Sequence, residues 1–265
     1  MSTKPWTGGE GPLQPGPAGL LDLLRRRGSK RRALDPPGAV LFDLDGLLVD
    51  SEPLWTIAEE RVAATLDGTF TPELKAQMIG KRLDLAVGVL LAGMGTQKAH
   101  HADPIEVSRQ LMDEMTTLLR AGPPLQPGAL ELLDALRAAD VPLALVSSSF
   151  RQLVDAALLH VGRERFRVTV AGDEVTHGKP HPEPYATAAQ RLGVVTARCV
   201  VIEDAPAGVA SAIAAGCACV FVPTFPHDEP LPERVERRAS LHDVDLGLLG
   251  RLTVHPGSSQ SRRSH

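Results

Sequence analysis

The sequence predicts an α/β protein built on a doubly wound parallel sheet, with a helical cap inserted after its first strand. Three observations carry that expectation. From Gly128 onward, short apolar runs alternate with helical patterns, which is how strand–helix–strand crossovers read. Residues 53–123 hold helical periodicity without a convincing strand, so they read as a block inserted into that alternation. Four loops following apolar runs carry acid, hydroxyl, lysine and acid in turn, and in open parallel sheets ligands sit outside the carboxyl ends of the strands.

The first element is an apolar strand over Ala39–Leu44 that delivers Asp43 and Asp45 into the glycine-containing turn of LFDLDGLLVDSEPLW. Side chains two apart on a strand share a face, so the two carboxylates should project together and hold a cation between them. Helices follow over 54–66, 71–78, 83–92 and 104–120. Then come helix 128–139, strand 142–147, helix 150–160, strand 167–171, helix 183–192, strand 198–202, helix 206–215 and strand 218–222. The core is thus 38–52 and 124–252, and the cap 53–123. Residues 1–37, dense in Gly, Pro and charge, read as a disordered leader, and 253–265 as a flexible tail.

Composition narrows the function classes. With 43% hydrophobic residues the chain can bury a core, and its apolar runs fall short of the roughly 18–20 residues a membrane helix needs. No membrane partner is expected, and with no signal-peptide pattern the expected location is cytoplasmic. The net charge is −4, and because the basic residues of the leader offset part of the body's acidity, nucleic acid is not an expected partner. Cys199, Cys217 and Cys219 lie in or beside apolar strands and read as reduced, buried thiols. We expect a monomer.

Three later segments complete the chemical pattern. VPLALVSSS ends a buried-type strand in hydroxyls, with Ser147 singled out as a donor to phosphate oxygens. HGKPHPEPY holds Lys179 in a loop stiffened by Gly and Pro just before a helix. CVVIEDAPAG is a second apolar strand, ending in Glu203 and Asp204.

In this order, FDLDG, VSSS, GKP and VIEDAPAG resemble the four motifs of the haloacid dehalogenase-like hydrolases over about residues 38–250. Within that family, DGLLVDSEPLW and MIGKRLDLAVGVLLAG are similar to phosphatases of hexitol phosphates and 2-deoxyglucose 6-phosphate. The resemblance implies a Rossmann-like core, a helical cap and a Mg²⁺-dependent phosphatase acting on small phosphate monoesters, above all sugar or polyol phosphates. It implies that Asp43 attacks phosphorus to form an aspartyl-phosphate while Asp45 serves as acid and then base. Ser147 and the backbone N–H of Ser148 would hold the phosphoryl oxygens, and Lys179 would balance charge. The metal would take Asp43, the Asp45 carbonyl and Asp204, with Glu203 nearby.

Specificity is expected from the cap, where Gly80, Lys81 and Arg82 match the substrate-facing loop of the related sugar phosphatases, with Arg82 the favoured contact. His100 and His101 read as an exposed loop pair. His177 and His181 flank Lys179, and because imidazole suits Mg²⁺ poorly they are assigned to loop structure. Trp55 is expected to pack where cap meets core, and it stands where the beta-phosphoglucomutase pattern carries histidine, which favours hydrolysis over phosphate return. A phosphomutase and a phosphoglycolate phosphatase remain the alternatives.

Overall fold

Six strands form one parallel sheet in the order β3-β2-β1-β4-β5-β6. They are β1 Ala39–Phe42, β2 Leu143–Val146, β3 Val168–Val170, β4 Cys199–Glu203, β5 Ala218–Phe221 and β6 Val235–Arg237. The structure, a computed structural model, describes residues 36–79, 81–224 and 230–253. Nearly all of the expected leader and of the expected tail therefore lies outside the described residues, as does Gly80. The described residues belong to one compact unit.

The central strands are buried at every residue of AVLF, LALV and CVVIE, the continuous apolar reading of strands covered by helices on both faces. Strand β1 sits in the middle, with Leu41 registered against Ala144 on one side and Val201 on the other. The strand order turns outward in both directions from β1, so the crevice at the carboxyl ends of β1, β2 and β4 is the switch point where such sheets bind ligands.

Between β1 and β2 run α1 Glu52–Thr65, α2 Pro72–Met78, α3 Leu83–Met94, α4 Gln97–His101, α5 Pro104–Ala121 and α6 Ala129–Ala138. Local sequence explains their starts. Thr71, Thr96 and Asp103 accept hydrogen bonds from Leu74, Ala99 and Ile105 N–H, and proline occupies the first helical turn of α1, α2 and α5. Helix α5 buries Val107, Leu111, Met115 and Leu119 at helical spacing. Its far end packs on α7, Arg151–Val161, where Gln152 Nε2 donates to Thr116 Oγ1 at 2.8 Å. Trp55 is partly buried against the cluster that also contains Phe42, Leu47 and Leu90, so one apolar core runs from β1 into the inserted helices. The remaining helices are α8 Glu183–Leu192, α9 Pro206–Ala214 and α10 Leu246–Thr253. Among the described residues no helix is long and apolar enough to cross a membrane.

The structure corrects the sequence reading in several places. Strand β1 stops at Phe42 rather than Leu44, because Leu48 and Val49 N–H turn back onto the Leu44 carbonyl. His100 and His101 close the short helix α4 instead of lying in a loop. Thr253 ends α10 and does not belong to the tail. Strand β6 was not expected: VER has no apolar run, and it sits at the sheet edge with only partial burial.

Phe42 has no exposed surface and meets Phe166 edge-on at 6.4 Å between ring centroids. Phe42→Ala should lower unfolding free energy by about 3–5 kcal/mol in urea titration, the range for an aromatic deleted from a core that cannot collapse around the void. A loss under about 1 kcal/mol would show that the two rings pack loosely.

Candidate active site

Three adjacent strands end at one buried cation. Lys179 Nζ lies 2.5 Å from Asp43 Oδ1 after β1, 2.7 Å from Glu203 Oε1 at the end of β4, and 2.9 Å from the Val146 carbonyl at the end of β2. An ammonium has three N–H donors, and here all three are used. Its side chain is only 6% exposed, and it sits 4.9 Å from the centre of the Tyr185 ring. Burial by itself lowers a lysine pKa, but Asp43 and Glu203 together raise that of Lys179 above its ordinary value, so the cation is kept charged by its neighbours.

Glu203 is filled from every side. Its Oε1 also accepts from Tyr185 Oη at 2.6 Å, and its Oε2 accepts from the Asp204 and Ala205 backbone N–H groups. With these donors in place, Glu203 braces Lys179. Tyr185 was not singled out from the sequence. It lies on the buried face of α8, and only the fold reveals that its hydroxyl meets an acid. The signal available was a lone tyrosine in the chain, six residues after the lysine.

Asp45 faces the opposite wall. Its Oδ2 accepts from Ser147 Oγ at 2.9 Å and from Ser149 Oγ at 2.8 Å, while Ser149 N–H donates to Ser147 Oγ. Ser147 is buried, Ser148 exposed and Ser149 between the two. The second hydroxyl on Asp45 is thus Ser149, a partner that the run of three serines alone did not single out.

Gly46 closes the turn after Asp45 with φ +85°, and a Cβ there would overlap the Asp204 carboxylate. Only glycine lets the two acidic loops approach so closely. Gln126 Nε2 and Thr224 Oγ1 donate to the Gly46 carbonyl, and Thr224 Oγ1 lies 2.7 Å from Asp204 Oδ2. Thr224 and Gln126 are supports that come from remote sequence and were not expected.

Asp43, Glu203 and Asp204 each present a carboxylate oxygen within 4.8 Å of the others. Burial, and after it the neighbouring acids Glu203, Asp204 and Asp45, raise the Asp43 pKa, although Lys179 pulls it down. Burial and Glu203 likewise push Asp204 up to about 7. Among the described residues Asp43 Oδ2 has no hydrogen-bond donor, so the cluster carries more negative charge than Lys179 balances. A hard, oxygen-loving divalent cation suits that donor set.

Lys81 and Arg82 are exposed at the start of α3, and Arg82 Nε lies 3.4 Å from Asp84 Oδ1. Among the described residues no hydrogen bond or ion pair joins either side chain to Asp43 or Lys179; the structure does not bring the cap pair together with the buried acids.

The family model of the haloacid dehalogenase-like hydrolases matches residues 37–216. The chain belongs to this family. It is 36% identical to hexitol phosphatase A of Escherichia coli over 219 residues, covering 81% of this chain and 92% of that protein. It is 31% identical to a phosphorylated carbohydrates phosphatase of Thermotoga maritima, covering 69% and 83% of the two chains. Among solved structures, CbbY from Rhodobacter sphaeroides in complex with phosphate superposes with a TM-score of 0.69 at 26% identity, over 78% of this chain and 96% of that one.

The raised Asp204 carboxyl makes metal-free stability pH-dependent. The unfolded group titrates near 3.8 and the folded one near 7, so the folded state binds more protons in between and stability falls as pH rises through that window. In chelator, thermal unfolding temperature should drop from about pH 4 to about pH 7, and Asp204→Asn should flatten the drop. Equal slopes in the two proteins would remove Asp204 as the source.

Proposed function

We propose that this hydrolase removes phosphate from small sugar or polyol phosphates, with Asp43 as nucleophile. The observation that carries the reading is the Lys179 ammonium bonded to Asp43 beside two further acids at the switch point of the sheet. An anionic nucleophile approaching an anionic phosphoryl group needs its charge balanced first, and phosphate monoesters are among the slowest substrates to hydrolyse unaided. It is a phosphoric monoester hydrolase, a reading supported by the phosphatases among its relatives.

The donor set fits the Mg²⁺ that the family resemblance implies: Asp43, Asp204 and the Asp45 carbonyl would hold it, with Glu203 bracing Lys179 behind them. When bound, the ion supplies positive charge to the phosphoryl oxygens. Asp43 attacks phosphorus and forms an aspartyl-phosphate. Asp45, held by Ser147 and Ser149, protonates the departing sugar oxygen and then takes a proton from the water that hydrolyses the intermediate. Ser147 Oγ and the Ser148 N–H hold phosphoryl oxygens, and Lys179 stays charged throughout.

Substrate choice falls to the cap helices, 53–123 acting as a domain over the core, with Lys81 and Arg82 reaching the sugar or polyol end. The exposure of both side chains leaves them available for that contact. Trp55 in the histidine position of the beta-phosphoglucomutase pattern supports hydrolysis over isomerisation. The three buried free cysteines are consistent with a reducing, cytoplasmic setting, and we assign a monomer.

Asp43→Asn should abolish turnover, since an amide neither attacks phosphorus nor binds a cation as an anion. Phosphate release at a tenth of the wild-type rate would mean that another group is the nucleophile. Screened over sugar phosphates, polyol phosphates and phosphoglycolate with Mg²⁺, the enzyme should favour the first two classes. Supplied with beta-glucose 1-phosphate and a bisphosphate primer, it should form little glucose 6-phosphate; rapid isomer formation would make it a mutase.

Arg82→Ala should raise KM for the preferred sugar phosphate more than for p-nitrophenyl phosphate, because it removes a remote contact and leaves the phosphoryl site intact. Equal effects on both substrates would take Arg82 out of the specificity loop.

A further inference from the structure

Among the described residues, one group of side chains outside the acid cluster carries metal-ligating chemistry that the hydrolytic reaction does not use. His177, His181 and Glu183 each present a donor atom, and all three atoms lie within 4.8 Å of one another. His177 Nδ1 stands 3.0 Å from Glu183 Oε2, and His181 Nδ1 stands 3.9 Å from the same oxygen. The two imidazole rings lie with centroids 4.5 Å apart and tilted by 34°. Tetrahedral ligands at the usual zinc–nitrogen and zinc–oxygen lengths are about 3.3–3.4 Å apart, and the two nitrogen–oxygen separations bracket that value.

The ligands are also held in place by neighbours of their own. Glu183 Oε1 accepts from Thr176 N–H at 2.8 Å and Oε2 from His177 N–H at 2.9 Å, which fixes the plane of the carboxylate. The His181 carbonyl accepts from Ser211 Oγ at 2.6 Å, and Pro180 and Pro182 flank that histidine, restricting the backbone that presents it. Glu183 N–H points at His181 Nδ1 at 3.2 Å, and an ion bound at that nitrogen would replace this bond. Glu183 is kept ionised by the backbone bond from Thr176 and by His177, which hold its carboxyl below the usual range.

We propose that His177, His181 and Glu183 form a second metal site, selective for borderline divalent transition ions of the zinc class. Two imidazole nitrogens and one carboxylate exclude Mg²⁺ by donor type, so this site and the acid cluster sort ions by chemistry. Three protein ligands leave a fourth position open to water. An ion seated between them would replace the direct contact of His177 Nδ1 with Glu183 Oε2. Both histidines lie two residues from Lys179, so an ion bridging them clamps the loop that delivers the buried cation.

The test is Zn²⁺ binding to the full chain in saturating Mg²⁺, measured by competition with a chromogenic chelator. Three proteins are compared: wild type, His177→Ala/His181→Ala, and Asp43→Asn/Asp204→Asn. Wild type and the acid variant should each bind one equivalent that the histidine variant lacks or binds at least tenfold more weakly. Glu183→Gln should weaken it to a lesser degree. Co²⁺ added in place of Zn²⁺ should give the visible absorption of a tetrahedral nitrogen–oxygen site in the first two proteins and not in the third. The proposal is overturned if the histidine variant, folded by circular dichroism, binds Zn²⁺ with wild-type stoichiometry and affinity. It is equally overturned if the equivalent disappears in the acid variant instead.

Discussion

The buried ammonium of Lys179 is the constraint on which the site depends. It joins the ends of three neighbouring strands by bonding Asp43, Glu203 and the Val146 carbonyl. Two effects oppose each other there. Burial disfavours a charged lysine, but two carboxylates in direct contact outweigh it, and the net result is a cation held above its ordinary pKa. Removing one member of such a buried pair leaves the others uncompensated, at a cost of about 3–5 kcal/mol, so these contacts also close the top of the sheet.

Around that cation the acids are sorted by what surrounds them. Glu203 is saturated by Lys179, Tyr185 and two backbone amides, which makes it part of the scaffold. Asp45 is held by two serine hydroxyls on the β2 loop, at a distance from the ammonium bonds. Asp43 and Asp204 retain raised pKa values because burial and neighbouring acids outweigh the stabilisation they receive. Four carboxyl groups of two residue types therefore take different roles through environment alone. The close approach is possible because Gly46 and Gly208 put bare backbone against Asp204 and Glu203, where a Cβ would overlap the carboxylates.

The inserted helices and the core share one apolar cluster, with Trp55 packed against it and α5 resting on α7. That continuity ties the inserted helices to the strand that carries Asp43. Lys81 and Arg82 are exposed at the start of α3, where their positions depend on helix packing rather than on the strand ends.

The sequence by itself determined the parallel α/β core, the inserted helices and the residues at the four chemical positions. It could do so because buried strands read as continuous apolar runs, helices keep their period, and each motif is local to one strand end. Edge strand β6 was not legible, since VER derives its strand conformation from pairing with β5 rather than from its own apolarity. Nor were the partners of the motif residues: Tyr185 on Glu203, Ser149 on Asp45, and Thr224 on Asp204. The last two contacts join residues 104 and 20 positions apart in the chain. Only tertiary structure decided them, because which donor fills which oxygen depends on how separate strand ends converge, and no local period in a sequence encodes that convergence.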